Sequence, residues 1–195
     1  MNTRLIRIIS IAFSLSIFLS GCASFEPESD WEVKEFAFTN QNNEDVSLKD
    51  LKGTIWLADF IFTSCETVCP PMMYNLTQIQ KQLENEGIED VRIVSFSVDP
   101  EVDTPENLKE YIGKYEANTD NWDLLTGYEQ KEITSLAEES FKVLVRDDPS
   151  SNQVIHGTSF YLVNKDGRVV KNYSGVQDVP YEQIVSDIKL LKKSE

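Results

Sequence analysis

The chain has 195 residues and a formal net charge of −15, because 33 acidic residues outnumber 18 Lys and Arg residues. This balance argues against a protein that binds nucleic acid, or that holds anionic lipids through a polybasic surface. With 41% hydrophobic residues, the chain is long enough for one domain with a proper core. No internal repeat or low-complexity tract interrupts it.

Residues 1–21 are typical of a secretory leader. Arg4 and Arg7 are their only charges, and residues 8–19 form an apolar stretch interrupted only by serines. That stretch is short for a membrane span, which needs roughly 20 residues. The four residues that end at Cys22, Leu-Ser-Gly-Cys, resemble the bacterial lipobox, whose cysteine receives a diacylglycerol before the leader is cut off. The alternative is an uncleaved signal anchor with an incidental Cys22. We expect a lipoprotein.

The expected lipid anchor determines where the protein is found. Two or more acyl chains hold a protein on a membrane without a spanning helix, and the protein then faces outward, where disulfides persist. Loss of Arg4 and Arg7 with the leader takes the net charge from −15 to −17. Residues 22–33 are expected to be a lipid-anchored tether and residues 34–195 the folded domain. An acidic, lipid-anchored domain suits the outer face of a Gram-positive cell membrane.

The predicted elements of the domain alternate between strands and helices. In chain order they are a hairpin within 31–46, a buried strand at 54–61, a helix from about 69 to 87, a buried strand at 91–98, a helix at 105–115, a short strand at 123–125, a helix at 128–140, a strand near 141–145, a hairpin at 159–173 and a helix at 181–191. This order predicts a thioredoxin-like α/β sandwich, with a central mixed sheet flanked by helices and an N-terminal hairpin extension.

Cys65 and Cys69 lie where the strand at 54–61 meets the following helix. Pro70 and Pro71 are tolerated only in a first turn, so they place the start of that helix near Cys69. A helix N-terminus stabilises thiolate, which is both the nucleophile and the metal ligand. The spacing of four residues also permits a disulfide. The pair therefore suits a structural disulfide, a redox pair or a metal site.

His156 is the only histidine of the chain. In a thioredoxin-like arrangement, the loop before the strand at 161–163 packs against the cysteine loop. Redox enzymes of this fold usually carry a cis-proline there, yet no proline lies between Pro149 and Pro180. An imidazole opposite two thiols favours a metal, although a thiol-disulfide oxidoreductase without an obligatory metal remains the alternative.

Soft thiolates with one imidazole suit copper, either as Cu(I) or as Cu(II). Zinc with a water molecule as its fourth ligand is a lesser possibility, because no general base is identifiable beside the site. A peroxidase is disfavoured, because no arginine lies near Thr63.

These residues resemble the Sco/SenC family of copper-binding cytochrome c oxidase assembly proteins. The likeness runs from Phe36 to the last helix, and it depends on three motifs, namely residues 62–70, residues 97–105, and His156 with residues 160–167. It implies that Cys65, Cys69 and His156 bind one copper ion on a thioredoxin-like fold. A disulfide between Cys65 and Cys69 is then the oxidised, metal-free state of the site.

The resemblance also implies a partner, subunit II of cytochrome c oxidase, whose dinuclear copper centre the protein helps to mature. It acts by delivering copper, by reducing the cysteines of that subunit, or by both. A metallochaperone is expected rather than a turnover enzyme, and another thiol protein is a possible reductant. Glu66 is one departure, since many members carry proline after the first cysteine.

Asp99 and Asp103 precede the helix that starts at Pro105. Asp99 is a candidate to supply oxygen to Cu(II) or to contact a partner, because its loop follows a strand that points toward the cysteines. Asp103 and Thr104 match helix capping, and we expect Asp103 to be a cap.

Three more residues near the cysteines call for interpretation. Met72 and Met73 are tempting as copper thioethers, but their helical spacing with Leu76 favours core packing. Asp59 lies in an apolar strand, and it is either a buried proton handler near the cysteines or an edge residue.

Overall fold

The computed structural model describes residues 24–147, 149 and 153–194. The predicted leader and Cys22 lie outside the described residues. The strands are β1 Trp31–Glu32, β2 Ala37–Asn40, β3 Asp45–Ser47, β4 Ile55–Ile61, β5 Val91–Ser97, β6 Trp122–Thr126, β7 Arg146–Asp147, β8 Val154–Ile155, β9 Ser159–Val163 and β10 Arg168–Ser174. The helices are α1 Leu48–Leu51, α2 Cys69–Asn85, α3 Pro105–Ile112, α4 Gln130–Phe141 and α5 Tyr181–Ser194.

Among the described residues, eight strands form one mixed sheet in the order β1-β10-β9-β4-β5-β6-β2-β3, while β7 and β8 form a separate pair. The strands β4, β5 and β6 are parallel, as crossover helices require. The strand β9 runs antiparallel to β4, and β10 runs antiparallel to β9. The predicted thioredoxin-like α/β sandwich with a mixed sheet is confirmed.

The centre of the sheet is covered on both faces. All seven residues of β4 are buried, as the unbroken apolar run predicts. On one face Phe60 packs against Phe96, Phe141 and Tyr161, with ring centroids 5.6, 5.4 and 6.2 Å away. On the other face α2 buries an apolar stripe. Met72, Met73 and Leu76 are fully buried there, so the prediction of core packing for the two methionines is confirmed.

The predicted N-terminal hairpin is confirmed, but it is shorter than expected. The strands β2 and β3 pair across a turn in which the Asn40 side chain accepts hydrogen bonds from the backbone N–H groups of Asn42 and Glu44. Trp31 and Glu32 are not part of it. They pair with β10 at the opposite edge of the sheet.

The predicted strand near residues 141–145 is wrong. Phe141 is the last residue of α4, and Lys142 takes a left-handed conformation with φ of 59°. The N–H of Val143 then bonds back to the carbonyl of Ala137 at 3.0 Å. This helix-ending geometry satisfies orphan carbonyls and turns the chain away from the sheet. The apolar residues that suggested a strand are buried, but Phe141 is buried from the end of the helix, and Val143 and Val145 from the loop that follows it.

Residues 24–33, which we call the N-terminal strap, lie along β10. The backbone N–H groups of Glu28 and Ser29 both donate to the carbonyl of Val170, at 2.8 and 3.1 Å. Asp30 forms an ion pair with Arg168. The described part of the expected tether is therefore bound to the domain. No helix among the described residues is long and apolar enough to cross a membrane.

Candidate metal centre

The cysteine loop connects the carboxyl end of β4 with the start of α2. Pro70 and Pro71 occupy the first turn of α2, as the sequence predicts. Val68 precedes the helix and supplies no capping side chain. The N–H of Cys69 instead donates to the sulfur of Cys65 at 3.3 Å. The Cys65 sulfur therefore receives an N–H that the helix start leaves without a backbone acceptor.

The structure brings together the three predicted metal ligands. The sulfur atoms of Cys65 and Cys69 and one imidazole nitrogen of His156 all lie within 4.8 Å of one another. The Cys69 sulfur lies 3.6 Å from Nε2 of His156. Both cysteines are free thiols. Cys69 is fully buried, whereas Cys65 is 6% exposed and His156 is half-buried.

The ring of His156 is oriented for ligation. Its Nδ1 lies 2.8 Å from the carbonyl oxygen of Gly157. Because a carbonyl can only accept, Nδ1 carries the proton, and the lone pair of a neutral ring resides on Nε2. That nitrogen is the one that faces the thiols. Phe62 packs edge-on against the ring, with centroids 5.6 Å apart, and limits its rotation.

The pKa values of the two thiols are shifted in opposite directions. A hydrogen bond from the Cys69 thiol lowers the pKa of Cys65, helped by the backbone N–H groups at the helix start and opposed by burial. The same hydrogen bond raises the pKa of Cys69, and burial and the nearby Cys65 charge add to that rise. The pair thus consists of a Cys65 thiolate, ready as nucleophile or ligand, and a Cys69 thiol.

Asp103 does not cap α3, so that prediction is wrong. Its carboxylate is fully buried and accepts the backbone N–H of Thr63 at 3.2 Å and the Thr63 hydroxyl at 2.5 Å. It also accepts the Ser97 hydroxyl at 2.6 Å. The cap of α3 is Thr104, whose hydroxyl accepts the N–H of Asn107. Asp103 therefore fixes the cysteine loop two residues before Cys65.

Asp99 is not one of the three clustered ligand groups. It lies in the turn after β5, where its N–H donates to the Ser97 hydroxyl at 3.1 Å and its carbonyl accepts the N–H of Asp103 at 2.9 Å. Its place near the metal ligands stays a prediction.

Asp59 is fully buried in the central strand β4, so the interpretation as an edge residue is wrong. The Ser95 hydroxyl donates to its Oδ1 at 2.5 Å, while its Oδ2 has no hydrogen-bond partner within the described part of the chain. Burial raises the pKa of Asp59 to about 7, against the Ser95 hydrogen bond and the attraction of His156. The carboxylate also acts electrostatically on Cys69, whose pKa it raises.

Sequence reasoning considered Thr63 only as a peroxidase residue and did not single out Ser97. Each is a small hydroxyl residue at or just beyond the end of a buried strand. The sequence signal for either residue was only its position beside residues already considered as candidates for the site. Their role needs a carboxylate 40 positions away from Thr63 along the chain.

The donor set fits copper. Two sulfur ligands and one imidazole are soft, and three close donors satisfy the low coordination numbers of Cu(I). A partner can approach the group from the side of His156, which is half-buried, whereas both cysteines are buried. The same two sulfurs also suit thiol-disulfide exchange.

Comparison with known proteins gives consistent matches. A model of the SCO1/SenC family matches residues 26–193. The SCO1 protein homolog of Bacillus subtilis (strain 168) is 51% identical over 175 residues, which cover 89% of this chain and 90% of that protein. A SCO1/SenC family lipoprotein from Bacillus anthracis superposes with a TM-score of 0.83 at 49% identity, covering 87% of this chain and 99% of that one.

Two further structures show what relatives do. BsSco, described as having a disulfide switch and as a member of the Sco family of cytochrome c oxidase assembly proteins, has a TM-score of 0.80 at 52% identity, covering 87% of this chain and 98% of that one. Bradyrhizobium japonicum ScoI, solved with copper bound, has a TM-score of 0.70 at 27% identity, covering 82% and 99%. The chain therefore belongs to the SCO1/SenC family, as its fold, its cluster of two cysteines and one histidine, and these matches show.

Proposed function

We propose that the protein is a membrane-anchored, extracytoplasmic copper-binding protein that assists assembly of the dinuclear copper centre of cytochrome c oxidase subunit II. The observation that carries this proposal is the clustering of Cys65, Cys69 and His156 within 4.8 Å. The copper-bound relative from Bradyrhizobium japonicum and the assembly role given to the Sco family support it.

Copper is the cargo in this proposal, and each ligand has a separate task. Cys65 is already a thiolate, so it is the first ligand to engage. Cys69 has to lose its proton before it binds, and the raised pKa of its thiol makes copper binding release a proton. His156 presents a prepared Nε2 lone pair. Exchange to the partner's thiolates then starts at the less covered side of the group.

A second function uses the same two sulfurs and matches the disulfide switch described for BsSco. The Cys65 thiolate attacks a disulfide of the partner, and one partner thiolate leaves. Cys69 then loses its proton to solvent, attacks the Cys65 sulfur and releases the second partner thiolate. The protein ends as the Cys65–Cys69 disulfide, and the partner gains two electrons. Another thiol protein has to reduce the pair again.

The membrane part of the proposal depends on Cys22. The lipobox-like sequence supports a lipid anchor at this residue, and the Bacillus anthracis relative is described as a lipoprotein. Mass spectrometry of Cys22 from membrane fractions tests it, with Cys22→Ala as the control. A diacylglycerol adduct is expected, whereas an unmodified Cys22 in an uncleaved chain would contradict the anchor.

Copper titration of the reduced and the oxidised protein tests the binding function. We expect one copper ion per chain in the reduced form, with sulfur-to-Cu(II) charge-transfer absorption, and no tight binding in the oxidised form. His156→Ala should weaken binding sharply. An unchanged affinity and spectrum would remove His156 from the site, and failure of both forms to bind would move the assignment to thiol exchange.

The two functions separate in one further experiment. An oxidised peptide that carries the two copper-ligand cysteines of subunit II is mixed with reduced protein, and the peptide's free thiols are counted over time. Exchange without copper should persist in His156→Ala and vanish in Cys65→Ser. Absence of exchange with the native protein leaves copper delivery as the single function.

A further inference from the structure

The N-terminal strap follows β10 in a constant direction. The N–H of Val33 bonds to the carbonyl of Gly167, and Trp31 pairs with Val169. The N–H of Glu28 reaches the carbonyl of Val170. Phe25, the next anchored residue toward the N-terminus, lies against the side chain of Lys171, with 5.3 Å between the Nζ atom and the ring centroid. Traced toward the N-terminus, the strap therefore climbs β10 toward Ser174.

The Ser174 end of β10 is also the end of the sheet that carries the candidate copper site. Ser174 pairs with Ser159, three residues after His156. The strand β4, which lies on the other side of β9, runs parallel to β10 and leads into the cysteine loop at that end. The opposite end holds the turn between β9 and β10, where the carbonyl of Lys165 accepts the N–H of Gly53 at 2.9 Å.

A buried charge cluster fastens the strap. Lys171 and Asp187 form a buried pair at 3.1 Å, and the Tyr173 hydroxyl donates to the same carboxylate at 2.9 Å. From the strap, Glu28 lies 3.5 Å from the Lys171 ammonium, and the Phe25 ring covers it. The strap therefore supplies two of the groups that surround the buried Lys171 ammonium. Release of the strap would remove the Glu28 carboxylate and the Phe25 ring from this cation.

The chain length leaves little freedom beyond Phe25. Three residue spacings separate Phe25 from Cys22, which is about 10 Å at full extension. If Cys22 holds the lipid, as the proposed function requires, the bilayer surface lies within about that distance of Phe25. A linker this short prevents the domain from rotating freely relative to the bilayer.

We infer that the strap orients the domain, so that the end of the sheet with Cys65, Cys69 and His156 faces the lipid bilayer and the turn between β9 and β10 points away from it. This inference goes beyond anchoring. It assigns the copper site to the membrane-proximal layer, where a membrane-bound partner's outer domain begins.

Spin labels at the two ends of β10 test the orientation. Gln177→Cys and Asp166→Cys introduce labels at exposed residues, the first beyond Ser174 and the second in the β9–β10 turn. The seven residues of β10 place them about 20 Å apart along the sheet. Each is made in a full chain with Cys65→Ser and Cys69→Ser, processed in cells and reconstituted in vesicles that contain nickel-chelating lipids.

Paramagnetic relaxation by the headgroup nickel should be several-fold faster for the label at 177 than for the label at 166. Equal rates, or a faster rate at 166, would overturn the proposed orientation. Flotation of the vesicles is measured first. A protein that stays in the aqueous fraction refutes the anchor itself, so failure of the anchor is told apart from failure of the orientation.

A longer linker between the lipid anchor and Phe25 is the matched control. Ten Gly and Ser residues inserted between Ser24 and Phe25 add a flexible segment of roughly 17 Å root-mean-square length, and they leave the strap contacts from Phe25 onward intact. The difference between the two labels should then largely disappear. A difference that persists would show that something other than the short strap orients the domain, and it would overturn the inference.

Discussion

The molecule has two clusters of buried polar groups, one at the strap and one at the cysteine loop. Both bury charged groups, but those at the strap are paired with each other and the carboxylate at the cysteine loop is not fully paired. At the strap, the Lys171 ammonium and the Asp187 carboxylate neutralise each other, and Tyr173 fills a further acceptor position. Under the cysteine loop, one oxygen of Asp59 has no hydrogen-bond partner among the described residues, and none of their cations is bonded to this carboxylate. Complete pairing stabilises one fixed structure, whereas an unsatisfied group marks a place where protonation or ligation is still to occur.

The largest expected effect breaks the paired cluster. Lys171→Met should lower the free energy of unfolding by about 3–5 kcal/mol, because it leaves the Asp187 carboxylate buried without a cation. Urea denaturation gives the value. Lys189→Met, which removes an ion pair with the half-exposed Glu86, is the control and should cost no more than about 1 kcal/mol. Similar losses in both variants would contradict the distinction.

The unsatisfied cluster should respond to pH instead. Because the folded pKa of Asp59 is raised to about 7, folding favours the protonated carboxyl, and stability falls as pH rises from about 4 to 7. Asp59→Asn removes this loss. It should stabilise the protein at pH 8 by up to about 4 kcal/mol relative to its effect at pH 4.

Denaturation curves at pH 4 and pH 8 measure that difference. Asp166→Asn, the same substitution at an exposed turn position, is the matched control. If Asp59→Asn shifted stability equally at both pH values, the carboxyl would not titrate in this range.

A smaller effect is expected where the cysteine loop is held in place. Asp103→Asn loses one acceptor for the Thr63 and Ser97 donors, which should cost about 1–3 kcal/mol of stability and weaken copper binding. Thr104→Ala, the neighbouring cap, should cost about 1 kcal/mol and leave copper affinity unchanged. Copper titration of both variants tests whether Asp103 positions Cys65. Equal affinities would limit Asp103 to a role in folding.

The smallest perturbation sharpens the contrast within the cysteine pair. Since the pKa of Cys65 is lowered and that of Cys69 is raised, Cys65 should remain a thiolate as pH falls below the ordinary thiol value of about 8.5. Alkylation with iodoacetamide, followed by mass spectrometry of the peptides, gives a rate for each cysteine against pH. Cys65 is mostly covered, so the midpoint of its profile is the readout rather than its rate. A Cys65 midpoint near the ordinary value would contradict the assignment.

The sequence predicted the parts of this molecule that depend on local pattern. The unbroken apolar run of β4, the two prolines after Cys69 and the hairpin strand after His156 were enough to bring three ligands to one end of a sheet. Sequence reasoning failed where a contact between residues far apart in the sequence overrides a local signal. Asp103 stands where a cap is expected, yet it binds Thr63 on another loop. Residues 24–33 have the composition of a tether, and only β10 reveals them as a strap.

Copper X-ray absorption of the loaded protein tests the central claim most directly. The scattering shell around copper should contain two sulfur atoms and an imidazole nitrogen in the native protein, and the imidazole signal should vanish in His156→Ala while both sulfurs remain. A native spectrum with no sulfur neighbours, or one that His156→Ala leaves unchanged, would contradict a copper site built from Cys65, Cys69 and His156.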